Sequence, residues 1–177
     1  EIDHLSRGRL LHDVLYRLQR QINAQNGGPT SPAEISQEEY DRIADETITQ
    51  VLKENPTADA LRGAMREIDR RLMVSWLTEY RDQHESYDAQ KKGFTVPLKP
   101  AHLEVAFGLT DSDGDSLSTQ EPFSLEYKGE EIRLRGRIDR IDRGRYGDQE
   151  VFSIIDFKSG RTRPTKKDRD DLKSRRL

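Results

Sequence analysis

The sequence predicts a mixed α/β (α+β) domain in which a helical first half is followed by a mostly antiparallel sheet. Apolar residues recur at helical spacing through the first 85 residues, whereas alternating runs rich in β-branched and aromatic residues follow after about residue 100. Helices that come first and strands that come afterwards are typical of this class. With 177 residues, the chain has the length of one domain with a core of its own.

Three helices account for the first half. Apolar residues at helical spacing predict a helix over residues 6–23, which Asn26-Gly27-Gly28-Pro29 ends. The capping-box pattern Ser36-Gln37-Glu38-Glu39 begins a second helix. A third helix is predicted over residues 58–84. Its apolar face is expected to consist of Leu61, Met65, Ile68, Leu72, Trp76 and Tyr80.

Four strands are predicted near residues 102–109, 123–128, 131–142 and 151–158. If Gly147 and Asp148 form a two-residue hairpin loop, the numbers of cross-strand partners add to 295. Asp139 then lies opposite Asp156 on one face of the sheet, and Lys158 lies two residues further along the same face.

The two aspartates and the lysine form a candidate catalytic site. Opposed carboxylates repel unless a cation neutralises them, and Mg²⁺ prefers carboxylate, water and phosphate oxygens. A neighbouring lysine can position the attacking water and stabilise charge on the phosphate. Asp139, Asp156 and Lys158 are therefore candidate catalytic residues for metal-assisted phosphodiester hydrolysis.

The alternative is a charged hairpin on a solvated face. We favour the site because apolar residues are predicted to cover both faces of the hairpin, and buried charges are rare unless they are paired or bind metal. One face is expected to carry Ile138, Ile155 and Phe157, and the other Ile141, Phe152 and Ile154 together with the aspartates.

The string Gly136-Arg137-Ile138-Asp139-Arg140-Ile141-Asp142, followed by Ile154-Ile155-Asp156-Phe157-Lys158-Ser159-Gly160, resembles two motifs of the PD-(D/E)xK nuclease superfamily. The resemblance is to the branch that contains the RecB, AddB and CRISPR-associated exonucleases. Gly8-Arg9-Leu10-Leu11-His12 is similar to the Gly-x-x-x-His helix of that branch, and Glu104 matches the strand that opens its sheet. The order of the motifs over residues 7–160 makes the resemblance specific.

The resemblance implies a restriction-endonuclease-like core and a metal-dependent deoxyribonuclease, specifically an exonuclease of DNA repair or recombination. It implies that His12, Asp139, Asp156 and the backbone carbonyl of Phe157 bind Mg²⁺ or Mn²⁺, and that Lys158 is the catalytic lysine. Taken alone, His12 is more typical of an ordinary histidine at the edge of an apolar stripe. Glu104 either supports the metal ligands from behind or caps the sheet, and both interpretations remain open.

Charge is distributed unevenly along the chain, whose net charge is −3. Residues 131–177 carry 15 Lys and Arg against 9 Asp and Glu, which leaves the first 130 residues strongly acidic. A basic segment beside the predicted site is where phosphate contacts are expected, although a solvated tail is the alternative. The candidate DNA-binding residues are Arg161, Arg163, Lys166 and Lys167.

We expect residues 1–177 to form a single nuclease domain of a larger protein, with a helical insertion (31–93), a catalytic sheet (94–160) and a basic tail (161–177). The expected partners are DNA and a helicase domain or subunit. The chain has no cysteine, which excludes an iron–sulfur cluster held by cysteines within it, and it has no apolar run of about 20 residues. A cytoplasmic location without membrane contact is therefore expected.

Two other functions compete with the nuclease. One is a catalytically idle, nuclease-like module that binds DNA or a helicase partner, which a missing carboxylate or lysine would indicate. The other is a structural adaptor that docks a partner through the helices predicted between residues 36 and 84.

Overall fold

The computed structural model describes residues 4–55, 62–90, 93–110 and 114–158. The helices are α1 (His4–Gln25), a 3-10 turn (Pro32–Glu34), α2 (Gln37–Glu54) and α3 (Arg62–Gln90). The strands are β1 (Val96–Phe107), β2 (Phe123–Tyr127), β3 (Glu130–Leu134), β4 (Gly136–Tyr146) and β5 (Gln149–Ile155). This order of elements confirms the predicted mixed α+β class. Within these ranges, no helix combines the length and the apolarity that crossing a lipid bilayer requires.

The three helices pack around one apolar core. Leu18 and Ile22 of α1 are fully buried against Ile43 and Ile48 of α2 and Leu77 of α3. Because burial of apolar surface is the main driving force of folding, this cluster anchors the helical half. Ser36 caps α2 as its sequence predicts: its hydroxyl accepts a hydrogen bond from the backbone N–H of Glu39.

The buried face of α3 differs from the predicted one. Ile68 is half exposed, whereas the buried stripe runs through Met73, Leu77, Tyr80 and His84. Tyr80 is part of both the predicted face and the buried stripe that the structure shows. The prediction is wrong at Ile68, whereas Trp76 packs against the core as predicted, and Leu61 and the side chain of Met65 lie outside the described residues. It also missed His84, because a search for apolar periodicity does not detect a buried histidine.

Strands β1, β4 and β5 form an antiparallel sheet with β4 in the centre. The pairs Ile141↔Ile154 and Tyr146↔Gln149 confirm the register that the hairpin turn predicts. The last pair is Arg140↔Ile155, so Asp139 and Asp156 lie one residue beyond the regular ladder.

The strand predicted over 131–142 is in fact two strands. β3 pairs with β2 in a separate hairpin, whereas β4 begins at Gly136 and joins the main sheet. A Cβ atom at Gly136 would lie 3.0 Å from the ring of Phe107, so any larger residue where β4 enters the sheet requires this ring to move. The break is hidden in the sequence because apolar and polar residues alternate straight through it.

The prediction that both faces of the β4–β5 hairpin are covered is also wrong. Helix α3 packs on the face that carries Arg140 and Asp142, which are 4% and 0% exposed. On the opposite face, Phe152 and Ile154 of β5 are 70% and 58% exposed. The β5 part of this face is therefore open to solvent.

A buried arginine joins the sheet to α3. Arg140 donates hydrogen bonds to the hydroxyl of Tyr80 (2.9 Å), to Nε2 of His84 (2.7 Å) and to Oδ2 of Asp142 (2.9 Å). The hydroxyl of Tyr80 donates in turn to Oε1 of Gln19 in α1 (2.8 Å). Because a buried charge is stable only when it is paired and hydrogen-bonded, this network fixes α1, α3 and β4 relative to one another.

His84 has a defined protonation state in this network. A guanidinium only donates hydrogen bonds, so Nε2 of His84 accepts and Nδ1 carries the proton. Nδ1 lies 3.2 Å from the hydroxyl of Ser31, which donates to Oδ2 of Asp88 at 2.6 Å. Burial, together with the charge of Arg140, lowers the pKa of His84 to about 3. The folded protein therefore holds a neutral imidazole here.

We expect His84→Gln to make stability less dependent on pH. The unfolded chain binds a proton at His84 below about pH 6.5, but the folded protein does not until about pH 3, so this contribution to stability is present above pH 6.5 and lost as pH falls. Glutamine can replace both hydrogen bonds without titrating. The drop in unfolding free energy from pH 7.5 to 4.5, measured with urea, should be smaller in the variant by about 2 kcal/mol. Equal drops in both proteins would contradict the assignment.

Candidate functional site

Three side chains from three different elements meet at one point. His12 of α1, Glu104 of β1 and Asp139 of β4 each contribute a ligand-type atom, and these atoms lie within 4.8 Å of one another. The pairs Leu103↔Arg140 and Val105↔Ile138 place Glu104 opposite Asp139 on neighbouring strands. These three residues are called the acidic triad below.

His12 turns Nδ1 of its ring towards the two carboxylates. Its Nε2 lies 3.1 Å from the carbonyl oxygen of Phe157, which can only accept, so in the neutral ring the proton is on Nε2. Nδ1 then carries a lone pair, 3.2 Å from Oδ1 of Asp139 and 3.9 Å from Oε1 of Glu104. With the ring neutral, three acceptor atoms face one another, and either a bound cation or a proton on the ring relieves their repulsion.

Asp139 is held by the backbone that follows β5. Its side chain is buried, and Oδ2 accepts a hydrogen bond of 2.5 Å from the backbone N–H of Phe157. The carbonyl oxygen of Phe157 contacts His12. Phe157 therefore ties both residues to one short segment, and its ring packs against the helical core.

Glu104 is held at an energetic cost. Its backbone has φ = 51°, a left-handed conformation that is strained for any residue except glycine and that is found preferentially at functional sites. Burial, and after it the charge of Asp139, raise the pKa of its carboxyl group. Oε1 is buried and accepts no hydrogen bond from the described residues, whereas Oε2 lies 3.4 Å from Nη1 of Arg137.

These properties fit a divalent metal ion. The triad offers two carboxylate oxygens and one imidazole nitrogen, and the buried oxygen of Glu104 has capacity for a further partner. Mg²⁺ and Mn²⁺ favour carboxylate oxygens, and imidazole is a common nitrogen ligand for transition metals. The two interpretations of Glu104 left open by the sequence are thereby joined by a third, in which its carboxylate faces the ion directly.

Asp156 and Lys158 lie beside the acidic triad but outside it. They form an ion pair at 2.8 Å just after β5, and both side chains are exposed. The hydrogen bond and charge of Asp156, with a smaller effect of Asp139, raise the pKa of Lys158. The structure thus brings Asp139 together with His12 and Glu104, and Asp156 together with Lys158.

The candidate DNA-binding residues Arg161, Arg163, Lys166 and Lys167 lie outside the described residues. Sequence reasoning did not find the contact of Arg137 with Glu104. The two residues are 33 positions apart, so no local spacing could indicate it. The only signal available was the position of Arg137 two residues before a candidate ligand.

A family model of the PD-(D/E)XK nuclease superfamily matches residues 1–175. The chain belongs to this superfamily, which confirms the resemblance that its motifs indicate. The mixed α+β architecture with its antiparallel sheet agrees with the restriction-endonuclease-like core expected for such a protein.

Three similar proteins are each named as a subunit of an ATP-dependent helicase/deoxyribonuclease. The one from Clostridium tetani is 30% identical over 157 residues, and the one from Alkaliphilus oremlandii is 31% identical over 159 residues. The one from Pediococcus pentosaceus is 25% identical over 158 residues. The matches cover 86–87% of this chain but 12% of each relative. The chain thus spans a small part of the length of these relatives.

We expect Glu104→Gly to stabilise the metal-free protein by about 1–2 kcal/mol, because it removes both the left-handed strain and a carboxylate facing Asp139. Lys128→Gly is the matched control, since Lys128 has φ = 53° in the exposed turn between β2 and β3 and, besides the strain, loses only an exposed contact of its Nζ with the ring of Tyr127 at 5.2 Å. Its gain should be smaller, because the entropy cost of glycine is common to both variants and Lys128→Gly removes no carboxylate repulsion. Chemical unfolding in the presence of a chelator measures both. A greater gain for Lys128→Gly would show that Glu104 is not held at a cost.

Proposed function

We propose that this chain is a Mg²⁺- or Mn²⁺-dependent deoxyribonuclease that acts as an exonuclease in DNA repair or recombination, together with a helicase domain or subunit. The observation that carries the proposal is the convergence of an imidazole nitrogen of His12 and carboxylate oxygens of Glu104 and Asp139 within 4.8 Å of one another. Membership of the nuclease superfamily and the names of the relatives support the substrate and the partner.

In this proposal the acidic triad holds the ion, and the segment after β5 completes the site. Asp156 and the carbonyl of Phe157 are the further ligands that the resemblance implies, and both belong to that segment. A bound divalent ion supplies positive charge to the scissile phosphate and acidifies a bound water. Lys158 keeps its proton, because Asp156 raises its pKa, and it can donate a hydrogen bond to a phosphate oxygen.

A catalytically idle module that binds DNA or a helicase partner is the second candidate. The ion pair of Asp156 with Lys158 favours it, because this pair lies outside the acidic triad. Catalysis needs the lysine and the second aspartate at the metal, within a fraction of an ångström of a productive position. Measuring metal binding and cleavage separately distinguishes the two candidates.

We expect Mn²⁺ to raise the melting temperature of the protein, with a stabilisation of about 2.7 kcal/mol when the free metal is at a hundred times its dissociation constant. Asp139→Ala should abolish this shift as well as DNA cleavage, because it removes a ligand. Lys158→Ala should abolish cleavage and keep the shift, while Asp156→Ala should abolish cleavage. His102→Ala is the control, since His102 forms a similar pair with Asp115 at 2.7 Å outside the triad.

Two results would contradict this assignment. A thermal shift that persists undiminished in Asp139→Ala would place the metal elsewhere, and full cleavage by Lys158→Ala would remove the lysine from catalysis. A normal shift without cleavage in the full-length wild-type protein would favour the idle module instead.

We expect the basic tail to contact the DNA backbone. Replacing Arg161, Arg163, Lys166 and Lys167 by glutamine should weaken binding to DNA of any sequence and reduce the slope of log affinity against log salt by about 0.7–0.9 for each phosphate that is no longer bound. A variant with the same charge change on the helices is the control. It replaces Arg20, Arg42, Arg70 and Arg71 by glutamine. Equal slopes in the two variants would indicate a solvated tail.

A further inference from the structure

Arg137 lies at the rim of the acidic triad. It occupies β4 two residues before Asp139, and it pairs with Ala106 of β1, two residues after Glu104. Side chains two residues apart in a strand point to the same face. The guanidinium therefore reaches Glu104 from the side of the sheet that carries Asp139, and 39% of the side chain is exposed to solvent.

The contact between Arg137 and Glu104 is long and easily exchanged. Nη1 lies 3.4 Å from Oε2, whereas charge-assisted hydrogen bonds are usually about 2.7–2.9 Å long. Arg137 nevertheless supplies positive charge where Glu104 faces Asp139, and it opposes the rise that burial and Asp139 cause in the pKa of Glu104. In the metal-free arrangement it partly replaces a cation.

A metal ion and Arg137 compete for the same carboxylate. An ion held by the acidic triad neutralises Glu104 and at the same time repels the guanidinium, so the reason for this contact disappears. A DNA phosphate brought to the ion then places a new anion beside the guanidinium. The planar fork of an arginine matches a phosphate group in a bidentate geometry, and the partial exposure of Arg137 allows its side chain to turn outward.

We propose that Arg137 is an exchangeable counter-ion of this centre, which binds Glu104 while the metal is absent and binds the DNA phosphate once the metal is present. This inference rests on the proposed function, since it requires both a metal ion at the triad and a DNA substrate. It makes metal binding and DNA binding respond to the removal of Arg137 in opposite directions.

The first measurement is calorimetric titration of the full-length protein with Mn²⁺ alone, at one fixed pH. Arg137→Gln should bind Mn²⁺ about two- to fivefold more tightly than the wild type, because the competing cation is gone. Arg143→Gln is the matched control. Arg143 also lies on β4, on the same face, and contacts Glu150 of β5 at 3.2 Å, six residues away from Arg137. Its replacement removes the same charge and should leave Mn²⁺ affinity unchanged.

The second measurement is the affinity for a labelled DNA oligonucleotide with saturating Mn²⁺, in a Lys158→Ala background to prevent cleavage. Arg137→Gln should bind roughly tenfold more weakly, because it removes a charged hydrogen bond to phosphate. Its salt slope should fall by about 0.7–0.9, the value for one phosphate. Arg137→Lys should restore the slope but only part of the affinity, because an ammonium cannot form the bidentate contact. Arg143→Gln should match the background protein.

The possible outcomes separate this inference from the proposed function. If the wild type does not bind Mn²⁺ at the triad, the proposed function fails and the exchange fails with it. If the wild type binds Mn²⁺ but Arg137→Gln binds it more weakly, Arg137 supports the carboxylate structurally and the exchange is overturned alone. Tighter Mn²⁺ binding with unchanged DNA affinity overturns the phosphate contact. Only opposite changes, absent in Arg143→Gln, support the exchange.

Discussion

The position of the acidic triad depends on the buried guanidinium of Arg140. This side chain bonds to Tyr80 and His84 of α3, and Tyr80 in turn bonds to α1. The ring of Tyr80 lies 6.1 Å from that of Phe157, whose backbone holds both Asp139 and His12. A helix that contributes no side chain to the triad thereby determines where two of its members stand. Because a broken network would leave a charge buried without a partner, alternative packings of α3 are disfavoured.

Charge and strain are concentrated at one edge of the sheet. Two carboxylates face each other where β1 and β4 pair, one of them on a left-handed residue, and a histidine ring nitrogen points at both. Each feature costs stability by itself, and the apolar core of the three helices offsets the sum. Such a combination is typical of a site that a ligand completes, because evolution retains strain where function requires it.

The two ion pairs of the region differ in kind. Arg140 with Asp142 is buried and hydrogen-bonded, so it is a fixed part of the fold. Lys158 with Asp156 is exposed, and exposed pairs are weak and rearrange readily. Fixed charge beneath the site and exchangeable charge at its surface allow an ion and a phosphate to be bound without changes in the core.

Local signals in the sequence were sufficient to predict the three helices, the β4–β5 register and the superfamily, because apolar periodicity, capping residues, a hairpin turn and a string of motifs each lie within a short stretch of chain. The folded structure was needed to define the break between β3 and β4, the buried polar face of α3 and the open face of β5. It also decided that Glu104 joins His12 and Asp139, and that Arg137 contacts Glu104. These features depend on residues far apart in the chain, whose contacts are set by packing and by desolvation of charge, and neither is encoded in local spacing.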